Sequence, residues 1–276
     1  MIIDFHTHCF PNALAPRAMS RLAATASTIS ISPTTDGTAR GLLESMRAAG
    51  IDRSVVCNIA TNAHQMRKVN DFAIETLERF PSLIPLGSLH PHGESLEDEL
   101  ARLTSAGITG IKIHPDYVGI HIDDPDFEPV FALCEAKGVF VITHAGLDPI
   151  SPEHIYCTPE RVRRVMEKFP LLKLVVAHMG GYHCEEDVLS LLCGQPVYID
   201  TSLLSHRPER QNELRRILLE HDSDRILFAT DTPWADAASE ISAIHAMQLP
   251  QQLEDKIFSE NAISLLRSVN YRGYSS

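Results

Sequence analysis

The residues best placed to do chemistry come first in the chain. In Ile3-Asp-Phe-His-Thr-His8 two imidazoles stand two positions apart inside a short apolar stretch formed by Ile2, Ile3 and Phe5. Successive strand side chains alternate between faces, so a strand here is expected to put Asp4, His6 and His8 on one face. Two imidazoles side by side at a strand end can hold one metal ion. A histidine pair near an N-terminus is more often a surface feature, so the reading depends on what lies elsewhere. Later apolar runs also finish in polar groups: Lys112 and His114, then His144, His178 and Asp231.

Those residues need elements to position them. Buried strands are expected at 54–58, 83–89, 109–114, 139–144, 172–178, 197–201 and 225–231, after the one that opens the chain. Between them run helical patterns at 38–49, 64–80, 125–137, 158–168, 185–192 and 208–220, with further helical stretches at 235–247, 251–258 and 262–268. Another helix starts at Ser95-x-x-Asp98, spaced like a capping box, and stops at Gly107. Residues 9–38 show little periodicity and read as one long connection, of the kind that often serves as a lid or binding loop. The later strands are apolar on both faces, as parallel strands covered on both sides must be. Eight strands alternating with helices predict a closed (β/α)8 barrel, and no linker or low-complexity segment divides residues 1–276 into two domains.

That fold gives the polar residues meaning. Active sites of such barrels lie at the C-terminal ends of the strands. His6, His8, Lys112, His114, His144, His178 and Asp231 all fall there, while Ile142, Val176 and Ala229 beside them are apolar. Polar groups at buried strand ends are costly unless something satisfies them, and a divalent cation satisfies several imidazoles and a carboxylate together.

Composition excludes other classes. The chain has 276 residues, 44% of them hydrophobic, and a formal charge of −12, so it has no basic surface for a phosphate backbone and nucleic acid is not expected as a partner. No apolar run is long enough to cross a bilayer, and the N-terminus lacks a basic region ahead of an apolar one, so a cytoplasmic location is expected. The six cysteines form no C-x-x-C pair and are read as reduced, mostly buried thiols. Cys9, beside His8, is read as packed in the barrel mouth.

The segments Ile3-Asp-Phe-His-Thr-His8, Gly110-Ile-Lys-Ile-His-Pro115, Ile142-Thr-His-Ala-Gly146, Val176-Ala-His-Met-Gly-Gly181, Ile226-Leu-Phe-Ala-Thr-Asp-Thr-Pro-Trp234 and Phe258-Ser-Glu-Asn-Ala262 together resemble the amidohydrolase superfamily. The resemblance is to its amidohydrolase-related branch, which also contains decarboxylases of the aminocarboxymuconate-semialdehyde type. It implies a TIM barrel in which His6, His8, His144 and Asp231 bind one metal. It also implies that His178 orients or deprotonates the water bound there, or serves as a further ligand.

Three imidazoles and a carboxylate with an open position suit a catalytic Zn²⁺, and Mn²⁺ or Fe²⁺ are also accepted by such donors. Asp231 or His178 could act as the base. Lys112 is read as working electrostatically or on substrate rather than as a carbamate bridging two metals. His114 faces substrate or supports a ligand, and Trp234 walls the pocket. His90 and His92 are placed to line the mouth or to sit in a solvated loop. Tyr117, Arg161, Tyr182, His183 and Arg207 are read mainly as structural, with Arg161 also a candidate for anion binding. Three functions compete: hydrolysis of a small-molecule ester, lactone or amide by activated water, non-oxidative decarboxylation, and metal binding without catalysis. A homodimer through barrel helices would be ordinary.

Overall fold

The computed structural model describes residues 1–274. Eight parallel strands form the barrel wall: β1 Ile3–Thr7, β2 Arg53–Val56, β3 Leu83–Pro85, β4 Gly110–Ile113, β5 Phe140–Thr143, β6 Leu174–Val176, β7 Tyr198–Asp200 and β8 Ile226–Leu227. Hydrogen-bonded ladders run β1-β2-β3 and β4-β5-β6-β7-β8. Two seams join them. Lys112 N–H donates to Gly87 O at 2.8 Å between β3 and β4, and Phe5 N–H to Phe228 O at 2.8 Å between β1 and β8. The cylinder is therefore closed, a (β/α)8 barrel.

Around it lie α1 Ala15–Ala26, α2 Ala39–Ala49, α3 Met66–Arg79, α4 Leu96–Ala106, α5 Pro115–Val118 and α6 Glu128–Lys137. They are followed by α7 Pro159–Lys168, α8 Glu185–Leu191, α9 Gln211–Glu220, α10 Ala237–Ala246, α11 Gln251–Asp255 and α12 Asn261–Ser268. Local chemistry sets several ends. Thr38 and Thr158 cap α2 and α7 by accepting from Gly41 N–H and Arg161 N–H, and α2 stops at Gly50 with φ 74°. Ser95 does not cap α4 as its spacing suggested: its φ is 50° and its side chain makes no capping hydrogen bond.

Two differences from the sequence reading bear on function. Residues 9–38 are not a bare connection, because α1 forms within them. Its run is alanine-rich, so helix propensity is carried by small residues rather than by an obvious stripe of large apolar ones. The second difference is a bulge in β1. Ile3 and Asp4 pair with Arg53 and Ser54, but Thr7 pairs with Val56, so β1 holds one extra residue. Gly110, Lys112, Phe140 and Ile142 share one register and one face of β4 and β5. The Phe5 ring lies 5.7 Å from that of Phe140, and His6 Nε2 lies 3.0 Å from Lys112 Nζ. Neighbouring residues Phe5 and His6 thus both face the interior. Asp4 does not share the face of His6 and His8: its carboxylate accepts from Thr230 Oγ1 at 2.7 Å and from Thr230 N–H at 3.0 Å.

Below the polar layer, Ile3, Phe5, Val55, Phe140 and Val175 fill the barrel, and Ala262, Leu265 and Leu266 of α12 close that end.

Candidate metal centre and catalytic cavity

His6, His8, Lys112, His114, His144, His178, Asp231 and Trp234 all line one cavity of about 540 Å³ at the C-terminal ends of the strands. Strain accompanies them. His178, Met179 and Asp231 adopt φ of 58°, 61° and 66°, a left-handed conformation that non-glycine residues hold only when their surroundings enforce it.

Three acceptor atoms converge at the floor. Asp231 Oδ1 lies 3.0 Å from His8 Nε2 and 3.5 Å from His6 Nε2. The far side of each ring fixes its tautomer. His8 Nδ1 lies 2.9 Å from Cys57 O, which can only accept, so the proton is on Nδ1. His6 Nδ1 donates to Asp200 Oδ2 at 2.9 Å. Burial works against an ionised Asp200, but His6, Ser202 and Lys112 outweigh it and hold the carboxyl below its ordinary range. Both Nε2 atoms therefore present lone pairs to the same region as the Asp231 carboxylate, and burial, with Lys112 nearby, keeps the His6 ring neutral by lowering its pKa. Such a set repels itself unless a cation lies among its members. Lys112 supplies part of that charge by donating from Nζ to His6 Nε2 at 3.0 Å. Two imidazole nitrogens and a carboxylate oxygen, each ring held from behind by an acceptor, form a donor set that could hold a divalent metal ion.

A second chain of hydrogen bonds runs beside this set. Ser202 Oγ donates to Asp200 Oδ1, so it must accept from His178 Nδ1–H at 2.8 Å. His178 Nε2 then accepts from His144 Nδ1–H at 3.0 Å. His144 Nε2 is left as a buried acceptor with no partner. It faces Asp148 Oδ2 at 3.6 Å and Asp116 Oδ2 at 3.9 Å, while the His114 ring stacks on His144 at 4.3 Å. Burial, then the neighbouring His114 ring, keeps His144 well below its ordinary pKa. Burial opposes ionisation of Asp148, but His114 and His144 together hold it below the usual carboxylate range.

The structure thus groups His6, His8 and Asp231, brings His178 and Asp200 together with His6 in a second set, and separately groups His114, His144 and Asp148. His144 shares the cavity with the first group, but its Nδ1 is committed to His178. Other expectations resolve plainly. His90 is buried and His92 is paired with Asp126 at 2.7 Å, and neither lines the cavity. Arg161 is tied to Asp123 at 2.6 Å. Arg207 is buried against Glu185 at 2.8 Å with its guanidinium over the Tyr182 ring. Neither arginine faces the cavity, so Arg161 is no anion site there. Tyr117 and Tyr182 do line it, and His183 does not. All six cysteines are free, and Cys9 lines the mouth as expected.

Asp200 and Asp148 escaped the sequence reading. Asp200 ends β7 as Asp231 follows β8, so the same strand-end logic would have found it. Asp148 lies four residues after His144 in a loop, where nothing in the sequence marks it.

The family model for amidohydrolases matches residues 3–268. Among curated proteins, none matches the sequence. Among solved structures, an uncharacterized TIM-barrel protein of Bordetella bronchiseptica superposes with a TM-score of 0.80 at 21% identity, over 97% of this chain and 99% of that one. 5-Carboxyvanillate decarboxylase of Sphingomonas paucimobilis superposes with a TM-score of 0.69 at 18% identity, over 96% and 98%. A candidate 2-pyrone-4,6-dicarboxylic acid hydrolase of Pseudomonas putida does so with 0.69 at 19%, over 97% of each chain. At these identities the superpositions speak for the fold, and the family match, which spans nearly the whole sequence, places this chain in the amidohydrolase family.

Proposed function

We propose that the chain is a metal-dependent hydrolase that opens an ester, lactone or amide of a small molecule. The observation that carries this reading is the convergence of His6 Nε2, His8 Nε2 and Asp231 Oδ1, with both rings oriented from behind. These residues would hold the ion, with zinc the best match and manganese or iron also suited. The family resemblance adds His144. A divalent cation there supplies Lewis acidity and a water whose pKa is lowered toward neutrality.

Asp231 is the better base. His178 has both ring nitrogens engaged, by Ser202 and His144, whereas the salt-bridge and hydrogen-bond partners of Asp231 reach only Oδ1 and its backbone. Asp231 would take the proton of the attacking water as the water oxygen bonds to the carbonyl carbon. The bond from that carbon to the leaving oxygen or nitrogen breaks, and the proton on Asp231 passes to the leaving atom. Lys112, buried at the floor, places a positive charge beside the developing negative charge. His114 and Trp234 contact the substrate. The free thiols suit a reducing, cytoplasmic setting.

Decarboxylation is the second reading. It is favoured by the likeness in fold to a decarboxylase and by the Lys112 ammonium, and disfavoured by the engagement of Arg161 and Arg207 elsewhere. The test is product analysis of the metal-loaded protein on aryl esters, lactones and aromatic carboxylates. Acid release that is lost in Asp231→Asn supports hydrolysis; carbon dioxide release from a carboxylate would replace it with a lyase.

A further inference from the structure

We infer that the substrate carries a bulky, uncharged hydrocarbon or aryl group, seated against a wall that α1 builds over the barrel mouth. The inference rests on reading the polar floor as the reacting end. Leu22 and Ala26 lie four residues apart on α1, and Ile29 follows three later, so the three fall on one helical stripe. That stripe faces the cavity rather than the barrel core. Leu147 of the loop after β5 and Trp234 of the loop after β8 pack in one cluster with Ala26 and Ile29, and Phe72 of α3 also lines the cavity. Leu22, Ile29, Phe72, Leu147 and Trp234 are only half-buried, and the face they leave open is the one that lines the cavity.

Charge points the same way. Among the described residues no arginine lines the cavity. Lys112 is bonded to His6, Asp148 is paired with His114, and Lys68 is exposed at the rim. Inside the cavity a second carboxylate on the substrate would meet a largely apolar wall, and Lys68, exposed to water at the rim, would offset little of its desolvation. A hydrocarbon group would bury apolar surface on both sides, and about 540 Å³ is ample for a ring with an alkyl or aryl substituent.

The chain's single tryptophan is Trp234, so its fluorescence reports occupancy without turnover. The purified, metal-loaded protein is titrated with cyclopentanones carrying straight alkyl chains of increasing length, which offer the ring and carbonyl of a lactone but no bond to hydrolyse. A benzene dicarboxylate serves as the anionic counterpart. The expected result is a Kd that tightens about threefold to fourfold per added methylene until the cavity is filled. Leu22→Glu and Phe72→Glu are each expected to weaken the longest ketone at least tenfold, by placing a charge in the wall. Affinity independent of chain length, or tighter binding of the dicarboxylate than of the longest ketone, overturns the inference. The matching alkyl lactones are tested for hydrolysis in parallel. Length-dependent binding without hydrolysis upholds the apolar wall and sinks the hydrolase reading; hydrolysis without length dependence does the reverse.

Discussion

Asp200 is the residue on which the floor turns. One of its oxygens holds His6 Nδ1–H, and the other accepts from His178 N–H at 3.0 Å and from Ser202. It therefore sets the tautomer of one candidate ligand and anchors the chain that leads to His144. Asp200→Asn replaces an acceptor oxygen by a donor amide, so Nε2 of His6 is no longer reliably the bare nitrogen. Metal affinity is expected to fall about tenfold to a hundredfold, read by competition with a chelator. An unchanged affinity would show that Asp200 plays no part in orienting His6. At this scale the sequence was informative wherever chemistry and strand position coincide: all eight predicted site residues reach one cavity. It did not reveal which partner each ring would choose. That depends on contacts such as His8 to Cys57 O, which link residues far apart in the chain.

Among the elements, β1 and the loop after β5 do most to shape the site. The bulge in β1 rotates His6 into the interior beside Phe5, and strict alternation hides it because a bulge has no sequence signal of its own here. In the loop after β5, Gly146 forms a parallel bridge with Tyr182 at φ 84°. A Cβ there would lie 2.0 Å from Tyr182 N, against backbone that cannot yield. Gly146→Ala is therefore expected to destabilise the fold by about 3 kcal/mol in chemical denaturation, the upper part of the range for overpacked interiors. It should also displace Leu147 and Asp148 from the cavity. A loss below about 0.5 kcal/mol would mean that this bridge does not constrain the loop. The order of strands and helices was legible because the apolar runs are long and the glycine stops clear. The wall formed by α1 was not, since alanine gives a helix its propensity without marking a face.

For the whole molecule, the buried histidines set the pH response. Burial holds His6, His144, His178 and His221 below the ordinary value in the fold. The unfolded chain gains protons at these positions as pH falls through about 6.5, while the folded chain refuses them, so stability drops on the acid side. Asp4 and Glu240 act oppositely, because burial raises them to about 7 and about 8 and the fold then binds the extra proton. Burial also raises Asp116 and lowers His90, so the lowered histidines still outnumber the raised carboxyls and leave a net loss as pH is lowered from about 6.5 toward 5. Thermal melts of chelator-treated protein should show it. His221 belongs to neither the cavity lining nor the candidate metal ligands and donates from Nε2 to Val197 O at 2.9 Å, which a glutamine amide can replace. His221→Gln should reduce the acid slope by up to about 1.4 kcal/mol per pH unit. An acid branch unchanged by the substitution would contradict the assignment of a neutral buried imidazole at that position.

The most direct test of the account is elemental mass spectrometry of the purified protein beside His8→Ala and Asp231→Ala. The account predicts about one equivalent of zinc, manganese or iron in the wild type and a large loss in both variants. Metal that is absent, or that stays unchanged when either residue is removed, would contradict it.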